Sequence, residues 1–382
     1  LIAARGVQGL GGAVVTAVAL SLIMDLFTEP DDRAKAMGIY GFVCAAGGSI
    51  GVLLGGVLVA AFSWHWVFLV NLPIGIVVYV LCGRLLPEGA TTKAARLDVA
   101  GAITVTLGSL LAVYAVVNGN TAGWTSTRTL GMLAAAALLL VTFLCIEART
   151  RAPLMPLGLF RLRNLATANV VAVLWAAAMF AWFFISALYM QLVLGYDALQ
   201  IGLAFLPADL IMGAFSLGIS ARVVMRFGIR APIIAGMLLV AAGLGLFART
   251  PVHAGFWLDV FPGMALLGLG AGMALNPLLL AAMNDVEADQ SGLASGIVNT
   301  SFMMGGAFGL AVLASLAAAV SATSLGSGAE QAAALTDGYR AAFGAGAVFA
   351  VIAALLGAVL LRTSEPARAS DGAPAVKAFD QA

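Results

Sequence analysis

Two stretches lying 258 residues apart decide how this sequence folds: EPDDRAKAMGIYGFVCAAGGSIG (29–51) and EADQSGLASGIVNTSFMMGGAFG (287–309). Laid over each other without a gap, they agree at eight of twenty-three positions: Glu29/Glu287, Asp31/Asp289, Ala36/Ala294, Gly38/Gly296, Ile39/Ile297, Gly47/Gly305, Gly48/Gly306 and Gly51/Gly309. Each copy begins with acidic residues and passes into a glycine-rich apolar run, as a polar connection feeding a membrane-crossing helix would. Both run in the same direction, so the repeat is parallel. Parallel halves related by an axis along the membrane normal, with a ligand site between them, are one of the building plans of transporters. Gly47, Gly51 and Gly55, with Gly56 beside the last, leave one helix face without side chains. A second backbone can approach there, as fixed packing or as a surface on which two helices seal and rock.

Composition supports the membrane reading. Of 382 residues, 62% are hydrophobic and 10% charged, against roughly 45–50% and about 25% in ordinary soluble domains. A water-soluble chain of this size still turns about a quarter of its unfolded-state surface to solvent, so lipid must cover the excess. A net charge of +1 creates no field for nucleic acid. Cys44, Cys82 and Cys145 all lie in apolar runs and give neither a disulfide framework nor a zinc spacing.

About 20 mainly apolar residues are needed to cross the hydrocarbon. Eleven stretches qualify: about 1–25, 36–61, 65–83, 98–118, 129–147, 165–190, 199–221, 231–248, 257–282, 292–320 and 340–362. None alternates with period two, which favours helices over a barrel. With eleven spans, fifteen Lys and Arg residues fall on one side and three (Arg128, Arg249 and Arg340) on the other. The positive-inside rule then places 26–35, 84–97, 148–164, 222–230, 283–291 and the tail 363–382 in the cytoplasm. The tail, rich in Ser, Pro, Ala and Gly, reads as disordered, and 321–338 as a flexible outer loop. Leu1 already lies inside an apolar run, so the expectation is a fragment whose beginning is missing.

At these residues the chain resembles the major facilitator superfamily, and within it the fourteen-helix drug:proton antiporter family. RGVQG (Arg5 to Gly9) is similar to the Arg-containing motif of that family's fourth helix. Gly38, Gly47 and GVLLGG (Gly51 to Gly56) are similar to the antiporter motif of the fifth, with Val52 where the family usually has Pro. WHWVFLVNLPIG (Trp64 to Gly75) resembles the signature opening the sixth, and RLDVAG…NGNTAGW (Arg96 to Trp124) the first of two extra helices between the bundles. GISARVVMRFGIR, with Gly218, Arg222, Arg226, Gly228 and Arg230, looks like the second-half echo of the cytoplasmic loop motif. The resemblance implies an all-α polytopic membrane protein with eleven of fourteen transmembrane helices present. It would comprise helices four to six of the N-terminal bundle (1–84), two linker helices (97–148), a six-helix C-terminal bundle (165–362) and the tail (363–382).

Few residues in the spans can carry chemistry. Arg5 is the one basic residue well inside a span, where a charge costs about 2.5–3.5 kcal/mol on insertion scales. Its alternatives are proton or substrate handling, with Gln8 one turn on as a hydrogen-bonding neighbour, and snorkelling to the interface. Asp209 follows Pro207 in LAFLPADLIMGAF. Proline removes a backbone donor and hydrocarbon disfavours charge. Asp209 is thus a candidate proton carrier or counter-charge, or else a carboxylate satisfied by a neighbouring helix. Asn276-Pro277 and Asn71-Leu72-Pro73 read as helix breaks that line a cavity or simply kink. Asp98, Asp259 and Glu147 stand near span ends, where solvated or dipole-complementing charges are the default. Trp175, Phe180, Trp182, Phe183, Phe184 and Tyr189 could stack on a greasy cation or face lipid. Gln191 and Asn299 are further polar candidates.

Gly47-Gly48-Ser49-Ile50-Gly51 matches G-x-S-x-G formally, but that pattern needs a strand-to-helix turn and here it falls within a helix. No HExxH, P-loop or CxxC occurs, so neither a metal, a cofactor nor ATP has a visible site. The reading is therefore a secondary transporter of the plasma (inner) membrane, with its C-terminus cytoplasmic. By resemblance it exports hydrophobic or cationic small molecules against protons. The alternatives are an uptake carrier or facilitator of the same fold, which Val52 favours, or an inactive truncated remnant; a polytopic enzyme comes last.

Overall fold

The computed structural model describes residues 2–27, 29–85, 98–150, 153–287 and 290–361. The expected tail 363–382, Lys93, Arg96, Arg151 and Arg362 lie outside the described residues, as does the side chain of Val52. Helices make up nearly all of what is described, and no strand occurs in it. In hydrocarbon a helix satisfies its own backbone, which loops and open strands cannot do.

In chain order the helices are α1 (Ile2–Leu26), α2 (Pro30–Ala61), α3 (Trp66–Leu69), α4 (Asn71–Leu85), α5 (Val99–Ala122) and α6 (Thr127–Glu147). They continue as α7 (Arg163–Leu192), α8 (Ala198–Gly218), α9 (Ser220–Phe227) and α10 (Arg230–Phe247), then α11 (Phe261–Met283), α12 (Ser291–Gly326) and α13 (Gln331–Leu360). Among the described residues, nine helical spans are long and apolar enough to cross a membrane; α1 and α2 run for 25 and 32 residues. Polar side chains start several of them. Asp98 accepts from the Gly101 amide at 2.9 Å, Ser126 from Thr129, and Asp197 forms a reciprocal capping box with Gln200.

Helices α7, α8, α10, α11, α12 and α13 pack on one another around a buried core that includes Trp182, Tyr189, Phe247 and Phe343. Against this bundle, α2 lies along α8 and α1 along α12. The α5–α6 hairpin docks on α12, where Asn120 donates to the Ser315 carbonyl at 2.7 Å and the Ser315 hydroxyl returns a bond to Val116 O at 3.1 Å. Helix α4 presents its apolar side chains outward.

Three sequence expectations need correction. Residues 321–338 are not a flexible loop: α12 continues to Gly326 and α13 begins at Gln331. Alanine-rich sequence is strongly helix-forming even without an apolar stripe, and Gly338 presses directly on Ala317 and the Ser321 hydroxyl. Gly328, at φ 91°, supplies the left-handed turn that remains. The connection 222–230, read only as cytoplasmic, is mostly helical, with α9 following α8 after it ends at Gly218. Asn276-Pro277 does not break α11, and α8 likewise runs unbroken through Pro207. The break expected near Asn71 does occur, one residue earlier, between α3 and α4. Glu147, expected to be solvated or to complement a helix dipole, is 3% exposed and ends α6, where the dipole opposes an anion.

Candidate functional site

The candidate residues fall into two separate places. At the start of α1, the Arg5 guanidinium donates to Gln8 Oε1 at 2.8 Å, since three residues of helix bring the two side chains to one face. The same guanidinium lies 4.8 Å from the centre of the Phe68 ring on α3, a cation–π distance. Trp64 stacks on His65 at 3.8 Å beside it, and Asn71 turns its amide back onto Val67 O at 3.1 Å. These groups wall an open cavity of about 530 Å³, mainly apolar, with a cation and amides at its edge. That is drug-sized.

The second place runs along the α8–α11 contact, which α2 joins at Asn276. Asp209 on α8 is 3% exposed and Asn276 on α11 is 2% exposed. Glycines set how closely these helices meet. A β-carbon on Gly268 would run into the backbone carbonyl of Ala208, and one on Gly272 would lie 2.8 Å from Met212 O. The backbones of α8 and α11 are therefore in direct contact on either side of Asp209. Asn276 Nδ2 donates to the Ser220 hydroxyl at 3.3 Å, while its Oδ1 accepts no hydrogen bond.

Helix α2 meets this junction through glycine as well. A β-carbon on Gly38 would sit 3.0 Å from Ser216 O, one on Gly56 2.8 Å from Ala198 O, and one on Gly41 would collide with the Asn276 amide. A β-carbon on Gly47, Gly51 or Gly55, which the sequence picks out as the smooth face, would meet nothing within 4 Å. Sequence reading missed Gly41, although its spacing of three from Gly38 places both on one face of α2. Neither Asp209 nor Asn276 lines the Arg5 cavity.

The remaining candidates divide into packing and surface. Trp182 is buried among Phe183, Phe205 and Phe247. Trp175 sits edge-on to Phe302 at 5.4 Å, and the Tyr189 hydroxyl donates to Pro251 O at 2.6 Å. Phe180 lays its ring over Gly306 of α12 and Phe184 is exposed, so the aromatics of α7 do not form one pocket. Gln191 is exposed. Asn299 links α12 to α1 through a 3.4 Å bond to Thr16 O, and Asn169 ties α7 to Ser301 of α12 at 2.7 Å, a pair the sequence reading passed over. Asp259 accepts from the Gly255 amide at 2.7 Å, the end-of-helix role expected of it.

In the loop motif, Gly218 is exposed and so are Arg222 and Arg226, the latter 5.4 Å from the Phe227 ring. Arg230 instead donates to the Ala358 carbonyl and so ties α10 to the end of α13. Gly228 closes α9 at φ 71° and ψ −175°, a conformation essentially reserved for glycine. Gly228→Ala should therefore destabilise the fold by about 1–3 kcal/mol, read as a lowered thermal midpoint in detergent. An unchanged midpoint would show that the turn relaxes freely.

Comparisons with known proteins agree with this architecture. A family model described as Major Facilitator Superfamily matches residues 1–310. The chain is 34% identical over 326 residues to the multidrug resistance protein Stp of Mycobacterium tuberculosis, covering 85% of this chain and 60% of that protein. It is 36% identical over 364 residues to the cephamycin export protein CmcT of Amycolatopsis lactamdurans, covering 94% of this chain and 73% of that one. To the puromycin resistance protein pur8 of Streptomyces alboniger the identity is 34% over 363 residues, covering 94% and 72%. The chain thus spans about three fifths of the length of Stp.

Proposed function

Because the chain belongs to the major facilitator superfamily, a group of multi-pass membrane proteins, we propose that it is a secondary active transporter exporting hydrophobic or cationic small molecules in exchange for protons. In this reading it works by alternating access in the plasma (inner) membrane, with its C-terminus in the cytoplasm. The N-terminal helices (1–84) rock against the C-terminal bundle (165–362), with 97–148 as a linker hairpin. The relatives named for drug and antibiotic export or resistance support the substrate class.

One observation carries the reading: buried polar groups along the glycine contacts of α11, Asp209 where α8 meets α11, and Asn276 with Ser220 where α2 reaches α11 at Gly41. Buried polar groups in a membrane bundle are costly and by default mark substrate or ion pathways. The glycine contact lets α2 move against α8 without side chains interlocking. Asp209 is assigned proton exchange, Asn276 an orienting amide, and Arg5 with Gln8 the polar edge of a substrate-sized vestibule.

In everted membrane vesicles carrying the protein, an imposed pH gradient should drive accumulation of ethidium, and a protonophore should abolish it. Vesicles that stay empty under every gradient would defeat the proposal and favour an inactive remnant. Val52, in place of the family's usual Pro, favours a second reading as an uptake carrier. Reversing the gradient separates the two, since uptake then exceeds export.

A further inference from the structure

Two carboxyl groups outside the transport site face each other between the linker helices. Asp98 caps α5 with Oδ1, 2.9 Å from the Gly101 amide, while its Oδ2 is buried and accepts nothing. Glu147, the last residue of α6, is 3% exposed. Its Oε2 accepts from the Met155 amide at 2.9 Å and its Oε1, also buried, accepts nothing. The two orphaned oxygens crowd one spot. A β-carbon on Gly101 would meet Asp98 Oδ2 at 2.5 Å and Glu147 Oε1 at 2.9 Å, so the oxygens are separated by no more than the sum of those distances.

No described cation neutralises this pair. Arg149 beyond α6, Arg161 before α7 and Arg163 on α7 are exposed. Arg163 spends its guanidinium on the carbonyls of Leu360 and Val359. No described ion pair involves Asp98 or Glu147. Where α12 borders the linker helices it offers the uncharged Thr300 and Ser301, and across the 156–162 segment stand two further acids, Asp285 and Glu287. Lys93, Arg96 and Arg151 lie outside the described residues.

We propose that Asp98 and Glu147 form a proton-binding site, holding one proton between them as a carboxylic acid–carboxylate hydrogen bond. Two like charges this close and this buried cannot both persist, as in paired carboxyls that share a proton. A single proton turns one orphaned acceptor into a donor and satisfies both oxygens together.

Helix geometry decides which group carries it. Asp98 stands at the N-terminus of α5, where backbone N–H groups and the helix dipole favour an anion. Glu147 stands at the C-terminus of α6, where the dipole opposes one. Glu147 Oε1–H therefore donates to Asp98 Oδ2, and Asp98 stays ionised, accepting also from Gly101. Held this way, the pair fastens α5 to α6 and, through Met155, to the segment leading into α7.

Infrared difference spectroscopy on the purified protein tests this without any transport assay, so it stands or falls apart from the efflux reading. The wild type minus Glu147→Gln spectrum should contain the carbonyl stretch of a protonated, hydrogen-bonded carboxylic acid that shifts in D2O. Asp98→Asn should lose the same band, because the asparagine amide then donates to an ionised Glu147. Both substitutions keep size and hydrogen bonding, so the fold survives them, and matching thermal midpoints confirm it. A band that persists in both variants, or its absence from the wild type at neutral pH, would overturn the proposal. A band removed by adding Na⁺ at constant pH would do the same, assigning the site to a metal cation.

Discussion

Gly309→Leu is expected to prevent α7 and α12 from closing, whereas Gly51→Leu, at the equivalent position of the internal repeat, is expected to leave this chain's fold nearly unchanged. A β-carbon on Gly309 would fall on the Cβ and Cα of Ala177, and one on Gly305 against the backbone of Val173. Backbone cannot rotate aside as a side chain can, so the two helices must separate. Overpacking a well-packed core costs typically about 1–3 kcal/mol. A leucine here adds to that the loss of the close approach on which membrane helices rely without a hydrophobic driving force. Gly51 is exposed and a β-carbon there would meet nothing within 4 Å, so its change should stay within about 0.5 kcal/mol, as for surface substitutions away from special features. Size-exclusion profiles in mild detergent, followed by thermal unfolding, read both outcomes. Equal loss in the two variants would mean that the Gly51 face is packed in the protein as tightly as the Gly309 face.

The same contrast shows how much of this molecule the sequence makes legible. Apolar run length finds the long helices because in hydrocarbon a helix satisfies its own backbone, and the 258-residue repeat finds Gly47, Gly51, Gly305 and Gly309. It does not say which copies have a helix against them, since that depends on neighbours brought in from elsewhere in the chain. Hydropathy also fails where packing is made by small residues. Residues 321–338 look like a loop because Ser, Thr and Gly dilute the pattern, yet those residues let α12 and α13 form a tight hairpin around Gly338. Among the site residues, Arg5 with Gln8 could be read from helical spacing alone. Asp209 and Asn276 are both buried, and the meeting of Asn276 with Gly41 required the third dimension. Position near a span end misled for Glu147, because the 153–156 segment folds back over it.

Asp209→Asn carries the largest expected functional effect. The substitution keeps shape and hydrogen-bonding capacity and removes the exchangeable proton. Asp209 is 3% exposed on a helix that stays continuous through Pro207, so asparagine fits the same space and the α8–α11 contact at Gly268 and Gly272 is kept. If Asp209 exchanges the proton, coupling is what disappears. A proton crossing about 100 mV supplies about 2.3 kcal/mol and each pH unit about 1.36 kcal/mol. Together these sustain a substrate ratio on the order of a hundredfold or more, since about 1.4 kcal/mol is a factor of ten. Without coupling, the ratio in everted vesicles should fall toward one, with ethidium affinity changed little because the Arg5 cavity is elsewhere. Arg5→Ala should behave in the opposite way, weakening apparent affinity through loss of the Phe68 and Gln8 contacts while leaving the limiting ratio intact. Undiminished gradient-driven accumulation in Asp209→Asn would make this carboxyl a structural partner in the α8–α11 contact, and the proton would have to cross elsewhere.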